Sequence, residues 1–228
     1  MSALAQGILD FNASLKFTAP LPKGIGVMNP FCNNPEITRV TSLFYNKYYS
    51  SGKPRYMILG INPGRHGAGV TGIPFTDTKR LSEFCGININ GFSSHELSSV
   101  FIYDMIMAYG GVKKFYSRFY INSICPLGFV SLHAKGRQKN YNYYDSPELT
   151  RAAKDFIIKS INAQLKLGFR RDKCYCLGTG KNYKFLTALN AEQNFFGEII
   201  PLDHPRFIMQ YRLKKKDEYI RKYLALLK

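Results

Sequence analysis

Two side chains stand where an open sheet would place its chemistry. Asn62 lies just after the apolar run RYMIL, within GINPGRHGAGVTGIPF, residues 60–75. His204 follows a second apolar run, EIIPL, within DHPRF, residues 203–207. An Asn amide both donates and accepts, so at a strand end it holds a water or a substrate edge, or it caps its own turn. A His in the same place donates to a ligand, moves a proton, or is structural. The pairing of the two at one rim favours a shared pocket.

The glycines of 60–75 first suggest a phosphate cradle, and their spacing argues against it. A Walker loop needs GxxxxGK[ST], and the Lys is missing; a dinucleotide loop needs GxGxxG opening a helix directly. Gly64, Gly67 and Gly69 have the wrong spacing, and Pro74 disfavours helix there. GTGKN, residues 178–182, is a weaker imitation, because Tyr175 stands in place of the first Walker Gly. The glycines therefore serve close backbone approach or positive φ. The five cysteines include no C-x-x-C pair. They suit free thiols in a reducing cytoplasm better than an iron–sulfur cluster.

These groups need elements to hold them. Apolar runs at 55–61, 119–125, 173–177 and 198–202 read as buried strands, each ended by Gly or Pro. Helical patterns fall at 35–49, 94–109, 147–167, 181–191 and 217–227. Ser93 and Glu96 are spaced as a capping box for the second. Ser146, Pro147 and Gly168 can start and end the third. This alternation predicts a three-layer α/β/α fold with a central four-stranded, mostly parallel sheet. The 228 residues suit a single domain, with 1–50 as its helical N-terminal part. In such sheets ligands bind beyond the carboxyl ends of the strands, which gathers INPGRHGAG, PLGFVSL, GTGKN and DHPRF at one rim.

Charge points to the partner. Lys plus Arg number 32 against 15 Asp plus Glu, a formal net charge of +17, which suits a polyanion such as nucleic acid. No apolar run approaches the roughly 20 residues of a membrane span, so no membrane partner is expected. The N-terminus lacks the pattern of a secretory signal. Basic and aromatic residues interleave at Lys135, Arg137, Lys139, Tyr141, Tyr143 and Tyr144, and a basic run follows His204. Both suit a phosphate backbone with exposed bases, or a solvated charged face.

The motifs together resemble the uracil-DNA glycosylase superfamily, most nearly its single-strand-selective monofunctional branch. GINPGRHGAGVTGIPF is similar to that branch's G-M-N-P-G…T-G-V-P-F. INSICPLGF, residues 121–129, resembles its asparagine-bearing strand, N-x-C-P-L. LGTGKN resembles the segment after the third strand, and DHPRF the second catalytic motif.

The resemblance implies a monofunctional glycosylase that removes uracil from DNA and begins base excision repair. Asn62 would hold the attacking water, and His204 would donate to the departing base. Asn122 would read the uracil edge and Phe75 would stack on it, with Ile61 and Pro63 beside them. Gly64 would leave room at C5, so some C5-modified uracils would be accepted. Arg65, His66, Lys181, Arg206, Arg212, Lys214 and Lys215 would meet DNA, and Phe207, Ile208 and Met209 would fill the gap left by the flipped base. No metal, cofactor or Lys-based lyase step is implied. The expected protein is monomeric, cytoplasmic and nucleoid-associated. The alternative is a family member specific for xanthine or hypoxanthine, or a non-catalytic one. Two departures stand out: Arg65-His66 replace apolar residues, and the family's H-P-S-P loop reads HPRF.

Overall fold

The structure, a computed structural model, describes residues 2–132 and 138–227. The chain begins with helix α1, Ala3–Ser14, then strand β1, Ile25–Met28, and helix α2, Pro35–Tyr48. Asn34 caps α2 by accepting from the Ile37 N–H. Strand β2 is Tyr56–Gly60, followed by short α3, Ala68–Thr71, and α4, Thr78–Cys85. Helices α5, Leu97–Tyr109, and α6, Val112–Tyr116, lead to β3, Phe119–Ser123. Strands β4, Gly128–Leu132, and β5, Gln138–Tyr141, precede α7, Pro147–Leu165. The chain ends with β6, Lys173–Leu177, α8, Lys181–Gln193, β7, Glu198–Leu202, α9, Pro205–Tyr211, and α10, Lys216–Leu226.

The expected central sheet is present, with order β3-β2-β6-β7 and every pairing parallel. Its register sets the two faces. Leu59 pairs with Asn122 and Gly60 with Ser123, so Asn122 and Ser123 point to opposite sides. On one side lie α2 and α7, with Tyr49 against Tyr120 and Gln164 bonded to Asn122. On the other lies α5, whose Tyr109 packs on Phe119 and whose Phe101 meets Tyr223 of α10. This is the three-layer arrangement.

Two features depart from the expectation. A second, antiparallel sheet, order β1-β4-β5, lies outside the predicted strands. Helix α5 starts at Leu97, not at 94, and no capping box forms. The buried Asp77 does that work from a distance. Its Oδ2 accepts from the Glu96 N–H at 2.7 Å, while its Oδ1 caps α4 through the Arg80 N–H at 2.8 Å. A carboxylate from another helix displaces the local cap and frees the Glu96 side chain. None of the described helices is long and apolar enough to cross a membrane.

Candidate active site

Beyond the carboxyl ends of β2, β3 and β7 lies a cavity of about 330 Å³. Ile61, Asn62, Pro63, Gly64, Phe75, His204, Arg206 and Phe207 all line it. The first-motif loop is sewn to β3 past the strand ends: Ile124 N–H donates to the Gly60 carbonyl at 2.9 Å, and Cys125 N–H to Ile61 at 3.1 Å.

Asn62 is fixed at both ends of its amide. Its Nδ2 donates to the Tyr141 carbonyl at 3.2 Å, and its Oδ1 accepts from the Tyr143 N–H at 3.2 Å. The chain around β5 therefore straps the loop and sets the amide's orientation. Oδ1 keeps a second lone pair with which to hold a water.

Phe75 has a left-handed backbone, φ +54°, a costly state for an aromatic residue. Its ring lies flush on Gly60, where a Cβ would sit 2.6 Å from the ring edge. A glycine at the carboxyl end of β2 is thus the floor beneath the aromatic. Phe75 and His204 rings lie 6.0 Å apart, centre to centre.

His204 precedes α9 and caps it: Nδ1 accepts from the Arg206 N–H at 3.1 Å. That bond fixes the neutral tautomer, with the proton on Nε2. Burial, aided by the nearby Arg206 charge, lowers its pKa to about 4. At neutral pH it is an uncharged hydrogen-bond donor.

Asn122 is a correction. Its amide donates to the Tyr120 hydroxyl at 2.6 Å and to Gln164 Oε1 at 2.7 Å, inside the α7 layer. It does not line the cavity; Ser123 does. Ser123 pairs with Gly60, and so shares the face on which Phe75 rests. The signal was in the sequence: counting back from Cys125-Pro126-Leu127, the N-x-C-P-L spacing falls on Ser123.

Gly64 does not face open room. A Cβ there would meet Glu96 Oε1 at 3.3 Å and Asn140 Nδ2 at 3.4 Å. Glu96, which the sequence reading used only as a cap, lines the cavity. Asn140, Asn142, Tyr144, Gln210 and Tyr211 are further lining residues that it missed.

The DNA-contact set is redrawn in part. Arg65 binds the strap: its N–H donates to Asn140 Oδ1 at 3.0 Å and its guanidinium to the Gln138 carbonyl. His66 is exposed and lines an adjoining groove with His95, Glu96 and Arg206. Ile208 is fully buried and Met209 packs against the core, so neither can be a wedge. The exposed aromatics of α9 are instead Phe207, 39% exposed, and Tyr211, 67% exposed, whose rings lie 5.8 Å apart. Arg212 covers Phe207 at 5.5 Å. Lys181, Lys214 and Lys215 are exposed but lie outside the cavity. Tyr143 is buried with its hydroxyl on Asn182 and cannot stack on a base. Lys135 and Arg137 lie outside the described residues. All five cysteines are free, and among the described residues no cluster of acidic, His or Cys side chains could hold a metal.

The uracil DNA glycosylase superfamily model matches residues 47–228. The crystal structure of wild-type Pedobacter heparinus SMUG2 is 53% identical and superposes with a TM-score of 0.96. The match covers 99% of this chain and 97% of that one, so it includes the N-terminal part that carries no recognisable motif. Comparison with curated proteins gives no significant match.

Proposed function

The chain belongs to the uracil DNA glycosylase superfamily, and we propose that it is a monofunctional glycosylase that hydrolyses the N-glycosidic bond of a deaminated base flipped out of DNA. Uracil is the first substrate of this reading. One observation carries it: an oriented amide, Asn62, and a neutral imidazole donor, His204, share one cavity with Phe75.

The chemistry follows from the geometry. A flipped base enters between Phe75 and the opposite wall, at an unstacking cost of a few kcal/mol. Asn62 Oδ1 holds water toward the sugar. As the glycosidic bond stretches, negative charge grows on the base, and His204 Nε2–H meets it. An uncharged donor held in place by a backbone bond needs no reorganisation during the reaction. Among the described residues no Lys lines the cavity, which supports hydrolysis without a Schiff base or strand cleavage. Phe207 and Tyr211, with Arg212, are positioned to enter the stack as the base leaves.

Ser123 favours a second reading alongside the first. A hydroxyl rotates to donate or accept, whereas an amide fixes one of each. The smaller, less committed group suits xanthine or hypoxanthine as well as uracil. Four labelled oligonucleotides, carrying uracil, hydroxymethyluracil, hypoxanthine or xanthine, test both readings. Alkali-dependent scission at the damaged base is expected. Strands that all stay intact reject the glycosylase reading, and scission at uracil alone rejects the broader one.

A further inference from the structure

We propose that Glu96 is a catalytic general base, accepting the proton of the water that attacks the sugar. The proposal rests on the glycosylase reading above. As the water oxygen bonds to C1′, its proton needs an acceptor, and the cavity offers few. Asn62 is a neutral amide whose two ends are bonded to Tyr141 and Tyr143 backbone, so it orients water but takes no proton. His204 Nδ1 is occupied by the Arg206 N–H, and its Nε2 carries the hydrogen that meets the base. Among the described residues, Glu96 is the sole carboxyl lining the cavity.

The chain makes room for this carboxyl. A Cβ on Gly67 would overlap Oε2, and one on Gly64 would press on Oε1. Two glycines of the first motif therefore admit Glu96 rather than a phosphate. Asp77 holds the Glu96 backbone N–H at 2.7 Å, and the Ser99 hydroxyl donates to Oε2 at 3.1 Å. These contacts hold the residue in place, with both carboxylate oxygens against the first-motif loop.

The groups around it set its titration. Asp77, paired with Arg80, approaches from α4, Arg206 from α9, and His66 and His95 share the adjoining groove. Burial is the main cause that raises the carboxyl's pKa above its ordinary value, and Asp77 adds to it, against the opposing effects of Ser99 and Arg206. A carboxyl so raised is a stronger base once it is ionised.

The step balances. The C1′–N bond breaks and its electron pair leaves with the base as an anion. The water oxygen bonds to C1′, and its proton passes to the Glu96 carboxylate and then to solvent. The departed base takes a proton from solvent.

Single-turnover base release across pH tests this, using the best substrate from the four oligonucleotides. Glu96→Gln is expected to slow release by about 10²–10⁴-fold at neutral pH with DNA affinity unchanged. The acid-side fall in the wild-type rate should disappear in that variant. Ser99→Ala keeps the carboxylate but loses a bond that lowers its pKa, so its acid limb should move to higher pH. A wild-type rate or wild-type pH profile in Glu96→Gln overturns the proposal, as does an unmoved limb in Ser99→Ala. A wild-type protein that leaves all four bases in place fails at the glycosylase reading instead, before Glu96 is tested.

Discussion

The wall formed by residues 60–75 and the wall formed by helix α9 enclose the same cavity under opposite constraints. The first is crowded. Gly60 carries the Phe75 ring, Gly64 and Gly67 admit Glu96, and Asn62 and Arg65 are bonded to the strap around β5. The second opens to solvent after its first turn: Ile208 anchors it while Phe207, Tyr211 and Leu213 stand exposed. A wall that must place reacting atoms cannot tolerate an added methyl group. A wall that meets a long, flexible polyanion needs reach and charge instead. His204, at the first residue of the open wall, is held by the cap bond and belongs functionally with the crowded one.

That contrast is open to attack, and beyond Glu96 itself the largest expected effect is at His204. His204→Gln should slow base release by about 10²–10³-fold, the usual worth of one such donor. It should also alter acid stability. The native imidazole titrates at about 4 against 6.5 in an ordinary environment. The unfolded chain therefore binds the extra proton first, and the wild type loses stability as pH falls from 6.5 toward about 4. Melting temperature against pH should show this slope in the wild type and a flatter one in His204→Gln. Equal slopes would mean that the imidazole is not held neutral.

Next comes Gly60→Ala. Its Cβ would lie 2.6 Å from the Phe75 ring and force the aromatic out of place. A displacement near 1 Å in a reacting geometry costs about 10²-fold. Base release should fall by that order while DNA affinity holds, and a full rate would show that Phe75 does not set the substrate's position. The smallest effect belongs to the open wall. Lys214→Ala with Lys215→Ala should weaken binding to every DNA sequence alike, and lower the slope of log affinity against log salt by about 2 if both meet phosphate. Unchanged slopes would move the DNA path away from this end of α9.

Much of this was legible in advance. The strands at 173–177 and 198–202 form with the expected ends; for 173–177 the reason is that a short apolar run closed by Gly178 has one good solution in a buried parallel sheet. Asn62, Phe75 and His204 meet because strand ends share a rim. The base-reading residue was misplaced, at Asn122. One position along a strand exchanges the pocket for the opposite layer, so a motif match loose by one residue chose the wrong face. The second sheet escaped notice because its strands are short, and β5 is polar: Gln138, Lys139 and Asn140 are exposed and offer no apolar pattern. Arg65 looked like a DNA contact because a charged residue's partner cannot be read from its neighbours in sequence.

By itself the sequence determined the alternation of strands and helices, the family motifs, and the residue types at the cavity's rim. These depend on local periodicity and turn chemistry, which act over a few residues. Tertiary structure decided which of Asn122 and Ser123 faces the base, what Arg65 holds, and that Glu96 enters the cavity. Each of those outcomes depends on contacts between distant segments: Gly60 with Ser123, Arg65 with Gln138, and Gly67 with Glu96. Packing, not propensity, brings such pairs together, and the chemistry of the site is assembled from them.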